Sequence, residues 1–178
     1  EEMALEEARR CMGCGSGAEV LSDKCSACLT CLRVCPFNVP RVTDIAKMPS
    51  DICQACGLCA SECPGNAIVM KGYAMTDIPA ETKSMLSRLD GAPLRVLVFG
   101  CGLHAAAACW RGEWPERPQG VAEVYLPSIT RLGVTDILYA FEYGAAGVLI
   151  VECATGACRY PTAGERIERR VAQVKARM

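Results

Sequence analysis

The rhythm of hydrophobic and polar positions changes twice along this chain. In residues 1–10, Ala4, Leu5 and Ala8 recur at helical spacing among charged neighbours, the pattern of an amphipathic helix. Residues 11–65 break into short apolar stretches between Pro, Gly and Cys, with no long periodic helix. Such a stretch cannot bury much of a core by itself and must be organised by something it binds. Ala67-Ile68-Val69-Met70 predicts a short strand and residues 80–89 a short helix, before Asp90-Gly91-Ala92-Pro93 breaks the chain.

Beyond that breaker the pattern is α/β. Leu94-Arg95-Val96-Leu97-Val98-Phe99 is a near-continuous apolar run suited to a buried parallel strand. Residues 121–126 form a second candidate strand and Val148-Leu149-Ile150-Val151 a third. Residues 135–143 read as a helix stopped by Gly144. Residues 164–178 place Ile167, Val171 and Val174 on one helical face, with the arginines expected on a solvated surface. Strands alternating with helices predict a small parallel sheet.

Composition alters this picture at one point. Of 178 residues 14 are cysteine, while 19 basic and 20 acidic side chains nearly cancel. The balance gives no argument for nucleic acid or an anionic membrane as partner. No apolar stretch reaches the about 18 residues of a membrane helix, and no signal peptide opens the chain, so a cytoplasmic location is expected. An opening on Glu1 rather than Met fits a processed or truncated piece of a longer polypeptide.

Ten of the cysteines lie in residues 11–65. Cys25-x-x-Cys28-x-x-Cys31-x-x-x-Cys35-Pro36 is followed by Cys53-x-x-Cys56-x-x-Cys59-x-x-x-Cys63-Pro64. Neighbours so close cannot serve as ordinary disulfide pairs, but they can present several sulfurs to one metal centre. Zinc needs only two cysteine pairs and gives no reason to repeat an eleven-residue pattern ending in Cys-Pro. In such runs the first three cysteines hold one [4Fe–4S] cube and the fourth completes the other. The expected sets are Cys25, Cys28, Cys31 and Cys63 for one cluster, and Cys53, Cys56, Cys59 and Cys35 for the second. Ser26, Ala27, Ala55 and Gly57 are small enough for backbone N–H groups to approach the sulfides. Residues 21–72 thus resemble the bacterial two-[4Fe–4S] ferredoxins, which implies a one-electron relay.

Glu7-Ala8-Arg9-Arg10-Cys11-Met12-Gly13-Cys14-Gly15 resembles the cysteine-bearing segment of flavin-dependent oxidoreductases of the glutamate synthase small-subunit type. The resemblance implies that Cys11 and Cys14 belong to a further cluster. The alternative is a remnant or labile thiol pair, since Ser16 and Ala18 stand where other ligands would be sought.

Four cysteines remain. Cys101 and Cys153 follow the first and third strands of the α/β region, and Cys158 lies on the same loop as Cys153. Open α/β sheets hold their ligands at these carboxyl ends. Cys109, in an alanine-rich stretch, is either a ligand or a small buried hydrophobe. Residues 94–178 resemble the delta subunit of methyl-viologen-reducing hydrogenase. The likeness rests on the strand ending in Cys101, on Gly144-Ala145-Ala146-Gly147-Val148-Leu149-Ile150-Val151-x-Cys153, on Gly156-x-Cys158-x-Tyr160 and on Arg169-Arg170. It implies a [2Fe–2S] cluster on Cys101, Cys109, Cys153 and Cys158, with His104 the other candidate for fourth ligand. Where the family often has a cysteine after a proline, this chain reads Leu126-Pro127-Ser128. His104 is otherwise a polar loop residue, and Trp110 and Trp114 are expected as packing residues, with contact to a partner as the alternative.

The same resemblances imply partners: a flavoprotein like heterodisulfide reductase A, which would carry the FAD, and a hydrogenase- or dehydrogenase-type subunit of an anaerobe. No Ser-His or paired-carboxylate constellation suggests substrate chemistry on this chain. The expected class is α+β: a ferredoxin-type domain (21–72) after an N-terminal segment (1–20), then a linker (73–93) and a parallel α/β domain (94–178). Two alternatives stay open. Gly100-x-Gly102-x-x-Ala105 after a strand fits a dinucleotide loop, which would make the chain part of an NAD(P)H-dependent reductase, though Tyr125-Leu126-Pro127 lacks the acidic residue for the ribose. Ser128 fits a docking scaffold whose α/β domain lacks a cluster.

Overall fold

The computed structural model describes residues 17–72, 77–102, 118–154, 158–160 and 162–178. Cys11, Cys14, His104, Ala105, Cys109, Trp110 and Trp114 lie outside them.

The N-terminal module is two copies of one small unit. Each cysteine of the first run recurs 28 positions later, Cys25 as Cys53 and Cys35 as Cys63, and the backbone repeats with it. Ala27, Leu29 and Asn38 have positive φ angles of 51, 64 and 53°, and their counterparts Ala55, Gly57 and Asn66 have 53, 77 and 48°. A left-handed residue reverses the chain tightly, and two in each loop curl it back on itself. Short helices follow at equivalent places, α1 (Thr30–Val34) and α2 (Leu58–Ser61). Strands β1 (Ala18–Val20), β2 (Arg41–Val42), β3 (Ala46–Lys47) and β4 (Ile68–Met70) pair in antiparallel fashion, β1 with β4 and β2 with β3. Ala18↔Met70 is the image of Ala46↔Val42. β1 lies before residue 21, where the sequence reading sets the boundary, yet it closes this module. Its core is slight: Ala18, Cys31, Ala46, Ala60, Ile68 and Met70.

The C-terminal half is built on a parallel three-stranded sheet in the order β6-β5-β7, with β5 at Val96–Cys101, β6 at Val121–Leu126 and β7 at Gly147–Val151. The first strand starts two residues later than the apolar run suggests, because Leu94 is left exposed. Leu97, Phe99, Val124 and Leu126 are buried; sequestering a side chain such as Phe99 contributes about 1.5–3 kcal/mol. Helices α4 (Val134–Glu142) and α5 (Ala163–Lys175) add Ile137, Ala140, Ile167 and Val174 to the same core.

Two expectations need revision. Residues 73–93 are more than a connector: α3 (Asp77–Ser87) inserts Ile78 and Leu86 into the α/β core. The arginines of α5 are not all solvated, for Arg170 is 3% exposed.

Candidate iron–sulfur sites and the interface between the modules

The eight cysteines of the two runs line two similar cavities. Cys25, Cys28, Cys31 and Cys63 surround one, open to solvent at its mouth. Cys35, Cys53, Cys56 and Cys59 surround the other. Each cavity thus takes three sulfurs from one run and the fourth from the other. The remaining walls are largely apolar: Val42, Ala46 and Ile68 in the first, Val39, Pro40, Met48 and Met70 in the second.

Backbone amides point at sulfur. Val39 N–H donates to Cys35 Sγ at 3.5 Å, and its repeat partner Ala67 N–H donates to Cys63 Sγ at 3.3 Å. Ala46 N–H donates to Cys25 Sγ at 3.4 Å. Such bonds would spread negative charge from cluster sulfurs onto the backbone. Burial acts the other way. Desolvation, reinforced by Cys56, Cys53 and Cys35, pushes the Cys59 thiol up to about 12. Desolvation also raises Cys31 and Cys56, whereas exposed Cys28 is lowered by hydrogen bonding to Thr30. Crowded, desolvated thiols of this kind ionise readily only against a cation, so the donor set fits an iron–sulfur cube. Among the described residues, no three His, Cys, Asp or Glu groups converge on a single ion.

The two sites have different surroundings. At the first, Cys28 is exposed and flanked by Leu29 and Leu32, also exposed. At the second, Cys56 is 9% exposed and the equivalents of those leucines are Gly57 and Ala60. Gly57 faces the stem of Arg131, and a Cβ there would lie 3.2 Å from Arg131 Cβ. Thr130 Oγ1 donates to the Cys56 carbonyl at 2.6 Å, and the Tyr160 hydroxyl donates to the Gln54 carbonyl at 2.9 Å. Arg159 Nη2 reaches Gln54 Oε1 at 2.7 Å.

At the carboxyl edge of the parallel sheet, the Cys153 thiol lies 3.8 Å from Cys101 Sγ. Metal–sulfur bonds of about 2.3 Å at a tetrahedral centre hold two sulfurs about this far apart. Desolvation, with Cys101 and then Cys158 adding to it, pushes the Cys153 thiol up to about 12. Cys158 packs beside Tyr160 and Cys56. The pair suits two ligands of one iron, as a [2Fe–2S] rhomb requires. Of the expected four, Cys109 lies outside the described residues.

Gly102 has a structural reason. Its N–H donates to Leu126 O at 2.7 Å, and a Cβ would sit 3.0 Å from that oxygen. The amide is therefore engaged by β6 rather than free for a phosphate. Glu123 is buried and accepts from the Tyr125 hydroxyl at 3.0 Å. Ser128 is buried, lies 2.8 Å from Thr130 Oγ1 and accepts from Thr130 N–H.

Sequence reasoning missed the contact between the modules. Arg170 was noted only for the hydrogenase-delta likeness and Gly57 only as a small loop residue, while Thr130 and Gln54 carry no motif; the one available signal of the contact was the departure of Gly57 from its repeat partner Leu29.

Residues 96–178 match the family model for methyl-viologen-reducing hydrogenase, delta subunit, and residues 18–41 and 49–69 match the 4Fe–4S binding domain. No curated protein and no solved structure matches the chain. Among the described residues, no helix is long and apolar enough to cross a membrane.

Proposed function

From a chain that joins a 4Fe–4S ferredoxin domain to a hydrogenase delta-subunit domain, with the iron–sulfur electron-transfer role those domains carry, we propose a three-site relay between protein partners. Cys25, Cys28, Cys31 and Cys63 hold one [4Fe–4S] cluster, and Cys35, Cys53, Cys56 and Cys59 hold the second. Cys101, Cys153 and Cys158, with Cys109, hold a [2Fe–2S] cluster. Bound there, such clusters supply one-electron redox chemistry. The chain's own residues ligate, donate N–H bonds to sulfur, and keep Cys31, Cys56 and Cys101 from water. The partners are a FAD-bearing flavoprotein like heterodisulfide reductase A and a hydrogenase- or dehydrogenase-type subunit. Cys11 and Cys14 serve a further centre toward the flavoprotein side.

One observation carries this reading: two cavities, each lined by four cysteines drawn from both runs. The 3.8 Å approach of Cys153 to Cys101 supports the third site. The engaged amide of Gly102 weighs against the nucleotide alternative.

Anaerobic purification with iron and sulfide analysis tests it. About ten irons are expected from these three sites, against about eight for the ferredoxin sites alone, with any Cys11/Cys14 centre adding to the count. Low-temperature EPR of the reduced protein should show two cluster types. A Cys153→Ser variant with an unchanged spectrum would remove the third site.

A further inference from the structure

The two cysteine sets of the ferredoxin module are near copies, but among the described residues it is the loop 53–59 that bonds to Tyr160 and Thr130, whereas the first run meets the α/β domain beyond its loop, at Val34, whose carbonyl accepts from Arg166 Nη2 at 3.4 Å. Gln54, Cys56 and Gly57, all within the loop 53–59, meet Tyr160, Thr130 and Arg131 respectively. Tyr160 is the centre of this contact. It is 7% exposed, packs with Cys56, Leu58 and Cys158, and stacks edge-on against Phe37, which follows Cys35-Pro36. On its other side, its own N–H donates to Cys158 Sγ at 3.4 Å. One residue therefore bonds to the second cysteine loop through its hydroxyl and to a C-terminal thiol through its amide.

The broken repeat says the same. Leu29 and Gly57 both stand in the left-handed region at the head of their helices, at φ 64 and 77°. The first half carries a leucine there and leaves it in solvent. The second half carries no side chain, and the stem of Arg131 occupies the space. Backbone geometry alone does not demand glycine, because Leu29 adopts the same conformation. Docking does.

We infer that Tyr160 is a positioning residue that couples the second cysteine set, and not the first, to the C-terminal thiols. The inference rests on the proposed three-site reading and orders it: Cys25/28/31/63 outermost, Cys35/53/56/59 in the middle, Cys101/153/158 beyond Tyr160. An electron crossing at Tyr160 leaves one side and is gained by the other, with no bond made or broken and no further oxidant needed.

The test uses the full chain with its clusters, purified anaerobically and reduced with dithionite. Cys28→Ser and Cys56→Ser assign the two [4Fe–4S] signals to the first and second sets. Tyr160→Phe keeps the ring and removes the bond to Gln54 O. The expected result is a shift in midpoint potential of the second-set signal alone, at unchanged iron content. Gly57→Leu restores the side chain of the first half and displaces Arg131. Its expected result is loss of the magnetic interaction between the second-set and C-terminal spins. Cys28→Ser should leave that interaction in place. The inference is overturned if Tyr160→Phe shifts the first-set potential or neither, or if the C-terminal spin couples to the first set. An iron count with no C-terminal centre overturns the three-site reading instead, and the Tyr160→Phe shift still decides whether Tyr160 addresses the second set. Where either cysteine variant fails to assemble, Tyr160→Phe and Gly57→Leu, which leave all cysteines intact, carry the test.

Discussion

Arg170 Nη2 and Glu62 Oε1 lie 2.6 Å apart, and this contact joins the last helix of the α/β domain to the residue before Cys63. The guanidinium is spent completely: Nε also reaches Glu62 at 3.2 Å, Nη2 reaches Ser61 Oγ at 2.8 Å, and Nη1 reaches the Thr130 and Leu132 carbonyls at 2.7 and 2.8 Å. Those five bonds use all of its donors.

Arg170→Ala therefore uncovers two carbonyls and a hydroxyl at once. Glu62 keeps some access to water, its side chain being 36% exposed, so the cost should fall somewhat below that of breaking a fully buried pair, at roughly 2–4 kcal/mol. Glu62→Gln keeps an acceptor and should cost about 1 kcal/mol. Denaturant unfolding of the cluster-loaded protein measures both. Equal effects of the two variants would show that the ion pair, rather than the carbonyl contacts, dominates.

Gly57→Ala should destabilise more than Gly72→Ala. Both glycines have positive φ, 77 and 81°, and so share a backbone penalty of about 1–2 kcal/mol. A methyl on Gly57 also presses on Arg131 at 3.2 Å, whereas one on Gly72 has nothing within 4 Å. Thermal unfolding of the two variants side by side checks the order. Equal losses would mean that Arg131 yields freely.

Thr130→Val removes the hydroxyl that donates to the Cys56 carbonyl and lies against Ser128. With Thr130 2% exposed, the orphaned carbonyl should cost about 1–3 kcal/mol. Because the bond lands on the second cysteine loop, the three-site reading expects iron release to a chelator to quicken from that site before the first. Release at equal rates from both sites would contradict this.

Removing iron altogether should affect the modules unequally. The ferredoxin module has six small or medium buried residues as its core, while the α/β core includes Phe99, Leu97, Leu126 and Ile78. After chelation, hydrogen exchange should quicken at the amides of Val39, Ala46 and Ala67, which now donate to sulfur, and stay slow in β5. Retained protection at those three amides would show a module that holds without its metal.

Much of this molecule is local, and what is local was legible. The Cys-x-x-Cys runs are legible as candidate ligands because the first three cysteines of each run, three residues apart, line one cavity while the fourth lines the other. The limits of β6 match the expected strand, and α4 falls within a residue of its expected limits, because Gly144, at φ 93°, stops the helix where the pattern breaks. β1 and the β2–β3 pair were not legible, since they are two or three residues long and lack the continuous apolar run that marks β4. Nor was α3 recognised as core, because its burial depends on β6 and α4 lying against it.

The amino-acid sequence alone determined the spacing of the two cysteine runs, the parallel sheet and the likeness of each part to the family model it matches, all written in spacing and periodicity within short segments. Only the tertiary structure decided which of two near-identical cysteine loops faces the α/β domain, and that an arginine of an outwardly polar helix is buried. Those outcomes come from pairs such as Glu62 with Arg170 and Gln54 with Tyr160, more than a hundred residues apart in the chain. At such separations no local pattern records the partner, and packing alone selects it.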